Sequence, residues 1–404
     1  MVKFVRKKFP FGGHLPKSCL CEGMSVVKTV AIVGGGVGGT LLANRLARRL
    51  AREIEDHEVQ LLLFANREVH VYEPGFLFVV TGEREIEHYT RPQKSLVRRG
   101  VRLLLEEVQR IDVEKKQLRT ARNTYSYDIL VIATGARPDF DLVPGMREGA
   151  HNFYTVEGSL RLRDALANFE KGRILIVQDL PLKCPVAPIE IFFIIDAYLR
   201  SQGRRQNVEL IYSHPSPHLH HEPGIAEFIA KRFAARGYTF LPEVRVVEVD
   251  PQKRVVRTEK GETHEYDLLI AIPKHRGAPV IEASGLGDTL GFLPTDRYTL
   301  KLAGQDDVYV IGDATNIPIS KAGSAAHYQA ESLVNNIVHR LRGLPETARY
   351  DGKLACFLVS DLHESSFIGC DYNTPPRPIP STELLYWFKG MYNEMYWLTA
   401  RGLL

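Results

Sequence analysis

A chain of 404 residues, 44% hydrophobic and 25% charged, has the composition of a folded globular protein long enough for two nucleotide-binding units and an appendage. Its net charge of +4 argues neither for nor against nucleic acid, and none is assigned; part of it comes from Lys3, Arg6, Lys7, Lys8 and Lys17, which face only Glu22. No apolar run reaches the roughly 18–20 residues that span a bilayer, and the basic N-terminus lacks the apolar core of a secretory signal, so a body made in the cytoplasm is expected.

Residues 1–25 are read as an extension, with Met24 as a second place where translation could begin. Cys19 and Cys21 lie in it and are assigned no role; no set of four ligands at metal-binding spacing accompanies them, and no metal is assigned. Val26–Val33 is a β-branched, apolar run followed by Gly34-Gly35-Gly36-Val37-Gly38-Gly39 and then by Leu41, Leu42, Leu46 and Leu50 at helical spacing. This predicts strand, tight turn and helix, with Gly34, Gly36 and Gly39 in the G-x-G-x-x-G pattern. The first glycine permits the turn, the second lets a pyrophosphate approach, and the third lets helix and strand pack closely. Val59–Phe64 is the next strand, and Asp128–Ala133 is another, ending in Thr134-Gly135.

A second βα opening begins at Arg173–Val177, with a helix near Pro188–Arg200, a strand at Val208–Tyr212 and an amphipathic helix at Ile225–Arg236. Val244–Thr258 and Thr263–Ile272 are expected to form antiparallel strands. Val308–Ile311 ends in Gly312-Asp313, and a long helix is predicted from Ala325 to Arg342. The Pro-rich stretch Pro375–Pro380 sets off an aromatic tail containing both tryptophans, Trp387 and Trp397. The fold class is α/β, with two Rossmann-like dinucleotide-binding domains and a C-terminal helical segment that associates with a membrane. The expected division is 1–25; 26–150 together with 276–345; 151–275; and 346–404.

The second βα opening has no glycine motif. It continues Gln178-Asp179-Leu180-Pro181-Leu182-Lys183-Cys184-Pro185-Val186-Ala187-Pro188. Prolines remove backbone donors, and side chains at the glycine places block a pyrophosphate, so a nicotinamide dinucleotide is not expected there. Cys184, ahead of a helix and beside Lys183, is expected to have a lowered pKa. Of the remaining cysteines, Cys356 and Cys370 are the alternatives for its partner. His214, His218, His220 and His221 fall among Pro215, Pro217 and Pro223 and are read as a solvated loop, with proton transfer or quinone contact, and metal binding, as the other readings.

The order of glycine turn, Thr134-Gly135 and Gly312-Asp313 resembles the glutathione reductase-like flavoproteins, and implies FAD with Asp313 on a ribityl hydroxyl. The segment from Lys183 to Glu190 resembles the Cys-Pro-x-Ala-Pro-x-Glu motif of the sulfide:quinone oxidoreductases, as do Ala65-Asn66 and the segment from Gly312 to Gly323, with Pro318 and Lys321. By that resemblance Asn66 replaces the usual ribose-binding acid, Lys321 places a cation near the flavin, and Cys356 completes a redox pair with Cys184. The chain lacks the third cysteine that some members carry before the second βα unit. The implied activity is FAD-dependent oxidation of sulfide, with electrons passed to a membrane quinone. Phe357 and Phe388 are expected quinone neighbours. The aromatic tail implies peripheral, monotopic membrane association, on a side the sequence does not assign; a tail packed on the body, or in the seam of a homo-oligomer, is the alternative. The rival activities are a cytochrome-linked sulfide dehydrogenase subunit, a type II NADH dehydrogenase, and a flavin-binding sensor or assembly protein without turnover.

Overall fold

The computed structural model describes residues 27–403. The expectations for the extension, including Met24, Cys19 and Cys21, lie outside the described residues. In chain order, Lys28–Val33 (β1) leads through the glycine turn into Val37–Arg49 (α1), then Val59–Phe64 (β2), Val101–Leu104 (β3) and Ile129–Ile132 (β4). Gly172–Gln178 (β5), Ala187–Ser201 (α2), Val208–His214 (β6), Pro223–Arg236 (α3), Thr239–Pro242 (β7) and Leu268–Ile272 (β8) follow. Val308–Val310 (β9), Gly323–Leu341 (α4), the hairpin Leu354–Asp361 (β10) and Glu364–Cys370 (β11), and Glu383–Ala400 (α5) complete the main frame.

Two parallel sheets carry the fold. The first has the order β9-β4-β1-β2-β3 and the second β7-β6-β5-β8. The central strands of each are buried on both faces, which is why they are nearly continuous apolar runs. Along β1, Val30 and Ile32 pack into one core and Ala31 and Val33 into another. Along β5, Ile174 and Ile176 face α2 and Leu175 and Val177 face away from it. The strand order reverses beside β1, so the C-terminal strand ends open a crevice there, where open α/β sheets bind their ligands.

One strand expectation is corrected. Val246–Asp250, Val255–Thr258 and Thr263–Glu265 do form an antiparallel sheet, but β8 leaves it and runs parallel to β5. Leu268–Ile272 are all buried, so this strand belongs to a sheet covered on both sides. The hairpin β10–β11 packs on α2, and α5 lies across both it and α1. The last turn of α5 is stapled to α1: Asn44 Nδ2 donates to the Ala400 carbonyl at 2.7 Å and Arg48 to the Gly402 carbonyl at 2.9 Å.

Candidate active site

The glycine turn after β1 divides its labour by geometry. Gly34 has φ +119°, and a Cβ added there would lie 2.3 Å from the Ala133 carbonyl oxygen. One added at Gly39 would lie 1.9 Å from the Gly34 oxygen. These two glycines let β1, α1 and the end of β4 approach. A Cβ at Gly36 meets nothing within 4 Å, because it faces a cavity of about 520 Å³. The N-terminus of α1 therefore opens onto that cavity with its backbone donors free for an anion.

The strand ends of the first sheet line the same cavity with Asn66 after β2, Thr134 and Gly135 after β4, and Gly312 and Asp313 after β9. Thr134 Oγ1 is buried with no partner among the described residues. Burial pushes the Asp313 carboxyl up, while Lys183 and Lys321 draw it down. A phosphate cradle, an unpartnered hydroxyl and a partly buried carboxyl beside cations fit an FAD. Gly36 and the α1 N-terminus would hold its pyrophosphate, and Asn66, Thr134 and Asp313 would meet its hydroxyls and polar edges.

The corresponding turn after β5 is built differently. Gln178 Nε2 donates to Tyr212 Oη at 2.6 Å and to the Ser213 carbonyl at 3.0 Å, tying β5 to β6. The first turn of α2 carries Pro188, which has no N–H, and Glu190, whose carboxylate opposes an anion at that helix end. Cys184 stands in this turn at φ +49°, a left-handed conformation costing a non-glycine residue roughly 1–2 kcal/mol. Its N–H donates to the Lys321 carbonyl at 2.7 Å, its carbonyl accepts from the Ala187 N–H at 2.9 Å, and Tyr154 donates to the neighbouring Lys183 carbonyl at 3.1 Å. These bonds hold the thiol at the cavity wall.

Cys356 reaches the same cavity from β10. Both cysteines are free thiols in the structure, and each keeps part of its surface open. The expected lowering of the Cys184 pKa is corrected. Burial, then Cys356 and Glu190, push this thiol well up, and Lys389 opposes them. Lys183 does not serve it, because its ammonium pairs with Glu73 at 2.6 Å and donates to the Ala136 carbonyl at 3.3 Å. The Cys356 thiol is pushed up to about 12 by burial and Glu190, against Lys389 and the Ser324 hydroxyl.

Lys321 lines the cavity, and its ammonium is bonded within the protein. It donates to the Asp313 carbonyl at 3.0 Å and the Thr315 carbonyl at 2.6 Å, and lies 3.9 Å from the centre of the Phe292 ring. It thereby fixes the Asp313 turn as well as adding charge.

Several site residues carried no role of their own in the sequence analysis. Glu190 and Lys389 form an ion pair whose side chains are only 2% and 8% exposed, between the two cysteines' elements. Glu190 also accepts from the Val359 N–H at 2.8 Å. Tyr72 donates to Asn393 Oδ1 at 2.8 Å and stacks on Tyr396, whose hydroxyl meets His70 Nε2. A lysine within an aromatic tail was the available signal for Lys389, and the motif after Cys184 marked Glu190; nothing local paired the two across 199 residues.

The sequence model of the family described as pyridine nucleotide-disulphide oxidoreductase matches residues 28–177. The mitochondrial sulfide:quinone oxidoreductase of Mus musculus is 26% identical over 360 residues, covering 86% of this chain and 79% of that protein. That of Dictyostelium discoideum is 27% identical, covering 82% and 75%. The crystal structure of the sulfide:quinone oxidoreductase from Aquifex aeolicus has the same fold, with a TM-score of 0.83 at 21% identity, covering 93% of this chain and 92% of that one. Over most of its length the chain is similar to the sulfide:quinone oxidoreductase family. As in that family, the cofactor is FAD.

Other expectations for a member of this family divide. Phe357 lines the cavity, in edge contact with Phe367, but Phe388 is on the exposed side of α5 and does not line it. Cys370 does not line the cavity either. Only His218 and His221 of the histidine loop are exposed. His214 and His220 are buried, which with the neighbouring imidazoles lowers them to about 4 and about 3. The loop folds back because His214 ends β6 inside the sheet and His220 packs toward Pro185. No group of three or more metal-ligating side chains is present among the described residues.

Proposed function

We propose that this protein oxidises sulfide and passes the electrons to a quinone, with Cys184 and Cys356 as the sulfur-handling pair. The observation that carries the reading is that these two thiols, from separate parts of the chain, open onto the cavity that fits FAD, at the place where a second glycine motif is missing. FAD, when bound, supplies the two-electron acceptor that links the thiols to the quinone.

In the working cycle the two cysteines start as a disulfide. Hydrosulfide attacks one sulfur, the S–S bond breaks, one cysteine becomes a persulfide and the other leaves as a thiolate. Buried thiols with raised pKa values favour neutral forms, so Lys389 and the Ser324 hydroxyl are the groups that ease this leaving thiolate. Lys321 keeps Asp313 in place and adds a positive charge to the FAD end of the cavity. Residues 26–150 with 276–345 form the FAD unit in this reading, 151–275 present Cys184, and 346–404 present Cys356 and the quinone side.

The outer face of α5 supplies the membrane contact. Leu384, Trp387, Met391, Met395 and Leu398 recur at three- and four-residue spacing and are all exposed, Trp387 by 70%. A helix with such a stripe lies in the interface with its apolar side down. No helix among the described residues is long and apolar enough to cross a membrane. The inner face of α5 presents Lys389, Tyr392, Asn393 and Tyr396 to the cavity, so the quinone approaches between this helix and Phe357.

Anaerobic mixing of the yellow protein with sulfide, and separately with NADH, tests the reading. Bleaching by sulfide alone and recovery with a soluble quinone are expected. Bleaching by NADH but not sulfide would overturn it.

A further inference from the structure

We propose that Cys370 is a third sulfur-carrying thiol, which takes the outer sulfur of a Cys356 persulfide and delivers it outside the cavity. The proposal rests on the sulfide-oxidising reading above. In the hairpin β10–β11, Leu354 pairs with Cys370 and Cys356 with Ile368. Paired residues of an antiparallel ladder point to one face, and so do residues two apart, so Cys356 and Cys370 share a face as diagonal neighbours. The Cys370 thiol is close enough to raise that of Cys356.

Diagonal neighbours have Cα atoms about 7–8 Å apart, beyond the roughly 4.4–6.8 Å of a disulfide. Cys356 and Cys370 in this register therefore do not close a direct bond. A persulfide extends Cys356 by one S–S bond of about 2.05 Å, which is the increment that brings its outer sulfur to Cys370. Cys370 itself is half-buried at the end of β11, outside the cavity and beside Glu222 of the histidine loop.

The transfer is an exchange without net oxidation. The Cys370 sulfur, its proton lost to solvent, bonds to the outer sulfur; the bond between that sulfur and Cys356 breaks; and Cys356 departs as a thiolate. Cys356 is then free to pair again with Cys184, its electrons leaving by the route already proposed. Cys370 is left as the persulfide, from which a small thiol or a further sulfide can collect the sulfur without entering the cavity.

The test is mass spectrometry of the intact holoenzyme after anaerobic sulfide and quinone, quenched by alkylation and cleaved after Glu364, which separates the two cysteines. One extra sulfur on the Cys370 fragment of the unmodified protein is expected. In Cys370→Ser the extra sulfur is expected to accumulate on the Cys356 fragment and steady-state turnover to fall several-fold, while the first flavin bleaching by sulfide keeps its rate. Sulfur on Cys356 with none on Cys370 in the unmodified protein, or full turnover in Cys370→Ser, would overturn the relay and leave the sulfide-oxidising reading standing. Absence of any sulfide-driven bleaching would remove both.

Discussion

Replacing Lys389 by Met removes one member of an ion pair whose partner, Glu190, is 2% exposed. A charge left alone in such a place generally costs about 3–5 kcal/mol. Glu190 keeps one donor, the Val359 N–H at 2.8 Å, which places Lys389→Met near the lower end, at about 3 kcal/mol. Most of this cost comes from the stranded carboxylate. The double variant Glu190→Gln with Lys389→Met, whose amide can still accept from Val359, is therefore expected to regain all but about 1 kcal/mol. The assay is denaturant unfolding of the holoenzyme by circular dichroism, with hydrogen exchange across residues 383–400 to locate the change. The loss is expected to concentrate in α5, which Lys389 anchors. Equal destabilisation of the single and double variants, or a single variant within about 0.5 kcal/mol of the parent, would refute the assignment of a buried, mutually dependent pair.

Four further outcomes are expected. Gly39→Ala collides with the Gly34 carbonyl and is expected to yield protein that does not retain flavin, whereas Gly36→Ala has room and is expected to fold but bind FAD more weakly; the ratio of flavin to protein absorbance checks both. Cys184→Ser and Cys356→Ser are each expected to abolish sulfide-driven bleaching in stopped flow while keeping the flavin spectrum. The folded Cys356 thiol holds its proton more tightly than the unfolded chain does, with a pKa of about 12 against 9.0. Its contribution to stability is therefore full below about pH 9 and is lost as pH rises toward 12, so the reduced protein is expected to lose stability over that window faster than the disulfide form. Trp387→Glu with Met391→Glu is expected to abolish co-sedimentation with vesicles and leave turnover with a soluble quinone intact; unchanged vesicle binding, or conversion of an oligomer to a monomer without loss of binding, would assign the stripe to a seam between copies.

The parts of this protein that were legible in its sequence are those encoded within one turn of chain. Gly34, Gly36 and Gly39 announce a strand–turn–helix because each answers a local backbone demand. The missing glycines after β5 were equally legible, since Pro188 and Glu190 alter a single helix end. Charge states were not. Lys183 adjoins Cys184 in sequence, yet its ammonium goes to Glu73, and the cation that draws the cysteine down comes from α5. Long flexible side chains choose partners in space, so adjacency along the chain carried little weight there. The histidine loop failed for the complementary reason: its prolines signal irregular backbone, and irregular backbone can still be buried when a sheet end such as His214 pins it. The departure of Leu268–Ile272 from its antiparallel neighbours is a property of the sheet, which an apolar run five residues long cannot express.

The bonds from Asn44 and Arg48 to the last turn of α5 make the helix that opens onto the FAD cradle and the helix that carries the apolar stripe a single mechanical unit. Tyr396 and Asn393 join the same unit to His70 and Tyr72 at the cavity wall. Under the proposed membrane contact, cofactor and bilayer are thermodynamically linked through one element, and such linkage is reciprocal. Whatever factor a lipid surface adds to flavin affinity, flavin adds to lipid affinity. Where that factor exceeds one, protein that has lost its flavin would hold a membrane less tightly, and the membrane-bound fraction would be enriched in molecules able to turn over.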